Sequence, residues 1–159
     1  MSQVNVKFLV LKYGKLLLSK SSQSGKWAVL EGTIDVNNNL EFAMSKVVLE
    51  KTGWEGENVR LFQISINSDE SPESSSQLEV VFIVDGIRQT LQSHEIAKGL
   101  AWFPLNDLPK PEEIINHHVS IIYDLAELLH RGKTLDLEHL PPVFPLKNLK
   151  STNTLKLLN

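Results

Sequence analysis

The alternation of apolar and polar positions divides the chain into strands, a helix, further strands and a second helix. Val4 to Leu11 and Lys15 to Ser19 are rich in apolar and β-branched residues, with Tyr13-Gly14 between them, which predicts a β-hairpin. After the polar stretch Ser21 to Gly25, the run Lys26 to Leu30 predicts a short strand. The period then changes: Leu40, Ala43, Met44, Val47 and Val48 recur as one face of a helix. The asparagines Asn37 to Asn39 supply a start signal and Gly53 a stop, so a helix is predicted over about 40–52.

Val59 to Ile66 and Leu78 to Val84 predict two more strands, joined by the polar loop Ser68 to Ser76. Ala101 to Phe103 predicts a short strand ending at Pro104. Pro111-Glu-Glu113 suits a helix start, and Ile114, Ile115, Val119, Ile122, Leu125, Leu128 and Leu129 suit a buried face, which predicts a helix over about 112–131. Beyond Gly132 the chain is proline-interrupted but still apolar, at Leu135, Leu137, Leu140, Val143, Phe144 and Leu146. The expected organisation is one domain over 1–131 and a tail over 132–159 that is docked or partly disordered. Docked on a second copy, the tail would make a homodimer. The order of elements points to an α+β domain with helices packed on a sheet.

Composition narrows the function more than the fold. A chain of 159 residues can bury one real core but not two. The net charge of −3 lacks the basic footprint of a nucleic-acid binder, so nucleic acid is not the expected partner. With no cysteine, disulfides, thiolate catalysis and cysteine-based zinc sites are excluded. The N-terminus reads as neither signal peptide nor membrane span, and a cytoplasmic protein is expected.

The segment Gly32 to Trp54 carries the chemistry. Its spacing from Gly32 to Gly53, with Glu50, Val48 and Trp54 in place, is similar to the Nudix box, G-x5-E-x7-R-E-U-x-E-E-x-G-U. Gly25-Lys-Trp27 ahead of it, and His94-Glu95 followed by Ala101-Trp-Phe-Pro-Leu-Asn-Asp-Leu-Pro109 behind it, resemble the family's flanking stretches. The resemblance covers about residues 3–131. It implies a MutT-like α/β/α sandwich with a mixed central sheet. It also implies hydrolysis of a phosphoanhydride bond, with glutamates on one helical face holding a divalent cation.

At the family's carboxylate positions, however, stand Asn38, Val47, Glu50 and Lys51, and Lys46 takes the place of its arginine. The three helix positions Val47, Glu50 and Lys51 carry charges of 0, −1 and +1, which sum to zero, where the family carries three negative charges. A lone carboxylate beside a lysine is a poor magnesium site. Glu50 is therefore expected to be a vestigial metal ligand, with Glu31, Asp35 and Glu41 as nearby acids and Glu31 the best replacement. Glu95 lies where some relatives carry a base. No cofactor is expected, and Mg2+ or Mn2+ would serve any remaining activity.

The expected function is a non-catalytic or weakly active binder of a small phosphorylated, nucleotide-like ligand, held by Gly32, Lys46 and Lys51, since an ammonium can stand in for the cation at phosphate. The alternative is a divergent hydrolase of nucleoside-diphosphate-linked compounds. His117-His118 reads as a surface or helix-packing pair, because neighbours on a helix point in different directions.

Overall fold

The computed structural model describes residues 3–35, 37–67, 77–90, 93 and 97–131. Glu95, the loop 68–76 and the tail 132–159 lie outside the described residues.

Strands β1 (Gln3–Lys12) and β2 (Lys15–Lys20) form the expected hairpin. Tyr13 and Gly14 both have positive φ, 52° and 72°, the conformation a two-residue hairpin turn of matching twist requires. Then come β3 (Trp27–Ala28), β4 (Leu30–Asp35), α1 (Leu40–Thr52), β5 (Glu55–Gly56), β6 (Val59–Asn67), β7 (Gln77–Asp85), β8 (Ile87–Arg88) and β9 (Leu100–Pro104). Two 3₁₀ turns, Pro111–Glu113 and Asn116–His118, lead into α2 (Val119–Arg131).

β1 organises the mixed sheet. On one edge it pairs in parallel with β7, which in turn pairs antiparallel with β6. Its other edge is shared: β4 takes Gln3 to Phe8 and β2 takes Val10 to Lys12. β2 carries β3 and β9 outward, and β5 and β8 form a separate small ladder.

Period-two alternation sends each strand's apolar residues to two cores. Phe8, Val10, Leu17, Phe82 and Val84 pack with Met44, Val47 and Val48 of α1. Leu9, Leu11, Leu16, Leu18, Val81 and Ile83 pack with Ile121, Ile122 and Leu125 of α2. The sheet is thus covered by one helix on each face, the layered arrangement the resemblance implies.

α1 has the expected bounds. Asn39 Oδ1 accepts from the Glu41 amide at 2.8 Å, and Gly53, with φ 87°, donates its amide to the Leu49 carbonyl. The buried Thr52 hydroxyl donates to the Val48 carbonyl at 2.7 Å and accepts from the Trp54 amide at 3.1 Å, which fixes the helix exit.

Two expectations need correction. The strand expected over Lys26 to Leu30 is two strands broken at Val29, and β4 runs on to Asp35. Leu30 and Ile34 are buried while Glu31 and Thr33 point out, an alternation that the intervening Gly32-Thr33 obscures in the sequence. The second helix starts at Val119 rather than near 112. Ile114 bridges to Trp27, and the Ile115 amide donates to the Trp27 carbonyl at 2.8 Å. Backbone groups engaged in that pairing are unavailable to a helix.

Candidate functional site

β4, the end of α1 and the turn Asn116–His118 converge on a cleft. Two adjoining cavities, of about 430 and 390 Å³, share Glu31, Lys51 and His117 as lining residues. The first is completed by Asn5, Lys7, Thr33 and Glu79 among others, and the second by Ser19, Lys98 and His118 among others.

The register of the sheet places the charged core of this site. Lys7 pairs with Glu31 across β1 and β4, while Asn5, two residues earlier on the same face, pairs with Glu79 of β7. The Lys7 ammonium is buried and lies 2.6 Å from Glu79 Oε2 and 3.7 Å from Glu31 Oε1. A lysine inside an apolar strand is tolerable because both flanking strands present a carboxylate to it.

Glu31 is held from its other side by His118. His118 is 2% exposed, and its Nε2 lies 2.7 Å from Glu31 Oε1. Its Nδ1 accepts from the Val29 amide at 3.1 Å, so the lone pair is on Nδ1 and the proton on Nε2, which donates to the carboxylate. The hydrogen bond from His118, assisted by the nearby charge of Lys7, holds the Glu31 carboxyl below its ordinary value of 4.5 against the opposing effect of partial burial.

Oxygen and nitrogen atoms of Glu31, His117 and His118 lie within 4.8 Å of one another. That spacing suits a cation, but the donor set as arranged does not. His118 Nε2 carries the hydrogen, and it could ligate only as an imidazolate or after giving up the Val29 amide. His118 is a hydrogen-bonded support for Glu31, and His117 stands close beside the pair.

A variant separates these roles. His118→Phe keeps the ring but deletes both hydrogen bonds. The folded Glu31 pKa lies below the ordinary value, so the pair's stabilisation is fully present above about pH 4.5 and is lost as pH falls through the lowered value. Urea denaturation from pH 7 down to pH 3 is expected to show that loss in the native chain. The variant should lack that component and be weaker at pH 7 by about 1–3 kcal/mol, from the stranded Val29 amide. Equal pH profiles would remove His118 as the cause of the Glu31 shift.

The residues singled out from the sequence separate into two groups. Gly32, Lys51 and Glu31 line the cleft. Lys46 and Glu50 are exposed on α1, line neither cavity and are not ion-paired with each other. Val47 is 5% exposed and packs on Gly32: a Cβ built on Gly32 would meet Val47 Cγ1 at 2.5 Å. Asp35 caps the turn after β4 by accepting from the Asn37 amide at 2.9 Å.

Lys7, Glu79, Lys98 and the role of His118 were not anticipated. The signal available for Lys7 was a charge at an alternating position between Val6 and Phe8. For His117 and His118 there was only their adjacency, and they stand on a 3₁₀ turn ahead of α2, which aims both at Glu31.

A two-helix, sheet-centred domain of this kind is the fold of several solved hydrolases. A mutator MutT protein from Bacillus halodurans superposes with a TM-score of 0.63 at 17% identity, over 78% of this chain and 82% of that one. The NUDIX domain of NrtR from Shewanella oneidensis, solved with ADP ribose, gives 0.57 at 20% identity, over 81% and 89%. At those identities the likeness shows the fold alone. In sequence, the chain is 29% identical over 124 residues to an ADP-ribose pyrophosphatase from Methanocaldococcus jannaschii, covering 76% of this chain and 71% of the relative. The NUDIX domain model matches residues 1–125, and the chain belongs to the Nudix family. Among the described residues no helix is long and apolar enough to cross a membrane.

Proposed function

We propose that this Nudix-fold protein binds a phosphorylated, nucleotide-like ligand without a divalent cation, and that it hydrolyses such a ligand slowly or not at all. The observation that carries the reading is Lys51. It lines both halves of the cleft and, among the described residues, has neither an ion-pair nor a hydrogen-bond partner. An ammonium free of protein acceptors at a cleft is suited to a phosphate oxygen. Its place in the last turn of α1 also complements the helix dipole.

The residues present do not fit the magnesium site of the family box. Val47, at the position of a family glutamate, fills the space beside Gly32 with a methyl group. Glu50 is exposed and lines neither cavity, and Lys51 brings a positive charge to the cleft. The relatives support the ligand class: one is named for ADP-ribose cleavage and another was solved with ADP ribose.

Calorimetric titration of ADP-ribose in excess EDTA tests the reading. Binding is expected without metal, and Lys51→Ala should weaken it about tenfold, the equivalent of one charge-assisted hydrogen bond. Binding that appears only with magnesium or manganese, or that ignores Lys51→Ala, would overturn it.

The Glu31 carboxylate supports a second reading, a divergent hydrolase. An ionised acid in the cleft is a base in the right place, although its lowered pKa makes it a weak one. Turnover of ADP-ribose with manganese, abolished by Glu31→Gln or Glu50→Gln, would establish that reading instead.

A further inference from the structure

We infer that the segment 134–138, which follows the described residues, adds as a strand to the outer edge of β6 and lays Leu135 and Leu137 beside Ile64 and Ile66.

β6 ends the main sheet. Among the described residues it pairs with β7 alone, so the backbone groups along its other side meet no strand. That edge is apolar as well as open. The register sets Ile64 opposite Val80 and Ile66 opposite Leu78, and Val80 packs against the core under α1, so all four stand on the α1 face. The core takes in Val80 but leaves the other three in the open: Ile64, Ile66 and Leu78 are 44%, 69% and 46% exposed. On its other face this stretch of β6 is polar, with Gln63 and Ser65.

The chain beyond the described residues sets out from this edge. α2 starts beside β4, where His118 meets Val29 and Glu31. By Asp124 it has crossed to β6, whose Gln63 Nε2 donates to Asp124 Oδ2 at 3.3 Å. Residues 125–131 carry it about 10 Å further along its axis. The sequence then reads Gly132-Lys-Thr-Leu-Asp-Leu-Glu138: a helix-stopping glycine, then strict alternation of apolar and acidic residues from Leu135 to Glu138. Pro141-Pro142 comes next, and without amide hydrogens it ends any ladder.

The reach and the register both suit the chain's own edge. Residues 132–134 span up to about 10 Å, about the separation of packed layers, which takes the chain from the helix layer down to the sheet. With Leu135 and Leu137 beside Ile64 and Ile66, Asp136 falls opposite Ser65 on the polar face, whichever way the added strand runs. A slip of one residue would turn both leucines to that polar face. A tether this short gives the segment an effective concentration on the order of millimolar, which favours its own β6 over that of a second copy.

The test exploits the absence of cysteine from the chain. In full-length Ser65→Cys/Asp136→Cys the two Cα atoms are expected about 5 Å apart, the spacing of opposed residues in neighbouring strands and within reach of a disulfide. Mild oxidation of the dilute protein should close that bond within one chain, as read by peptide mapping without reductant. In Ser24→Cys/Asp136→Cys the first thiol sits on the exposed loop before β3, at the opposite edge of the sheet, and closure should be at least about tenfold slower. Equal rates in the two variants, or no disulfide in either, overturn the docking. A disulfide between two chains gives the edge to a second copy and overturns the assignment to the chain's own tail.

Hydrogen exchange on the cysteine-free chain reads the same edge independently. The β6 amides that β7 leaves unpaired should be protected, and in Leu135→Asp/Leu137→Asp they should exchange about tenfold faster or more while α1 amides keep their rates. Edge amides that exchange as fast in the wild-type chain as in the double variant overturn the docking.

Discussion

Val47→Glu, which writes a family carboxylate back into α1, is expected to destabilise the protein by about 3 kcal/mol or more, read as a fall of about 10 °C in the thermal midpoint. Val47 is 5% exposed, and its Cγ1 lies within 2.5 Å of where a Cβ on Gly32 would be. A glutamate there must either carry its charge among Val6, Ile34 and Met44 or push β4 away from the helix. Val47→Ala, which removes methyl groups and adds no charge, should cost only about 1–2 kcal/mol. The difference between the two variants isolates the penalty for the carboxylate.

The same variant bears on the metal. Should Val47→Glu combined with Lys51→Glu fold with wild-type stability and bind manganese tightly in solution, α1 would still offer a usable metal face. The metal-free reading of the cleft would then be wrong. The expected outcome is the opposite: with Val47 packed against Gly32, restoring the letters of the box is not expected to create a metal site.

What could be read from the sequence follows from the range of the interactions involved. α1 was legible to the residue because its determinants are local: the Asn39 cap, the stripe from Leu40 to Val48, and the Gly53 exit. The hairpin was legible for the same reason, through Tyr13-Gly14. The start of α2 was misread because Ile114 and Ile115 have helical apolar spacing, yet their backbone pairs with Trp27, far away along the chain. His118 shared that error: placed on a continuous helix it looked like a packing residue, and its partners Val29 and Glu31 lie 89 and 87 positions away.

The candidate site divides in the same way. Gly32, Glu31 and Lys51 came from motif spacing, a local property, and all three line the cleft. Lys46 and Glu50 came from the same spacing but are exposed and line neither cavity, while Val47 and Val48 beside them are the residues α1 buries. Lys7 needed the strand register to be known before it could be placed opposite Glu31.

Lys7 is also where the second large effect is expected. Lys7→Met should cost about 2–4 kcal/mol at pH 7, because Glu79, whose side chain is only 18% exposed, loses its ion-pair partner. The cost should come mainly from charge, since methionine refills most of the volume of the lysine stem. A double-mutant cycle separates charge from packing: adding Glu79→Gln should recover more than half of the loss, because the carboxylate left behind is its source. No recovery in the double variant would make Lys7 a packing residue.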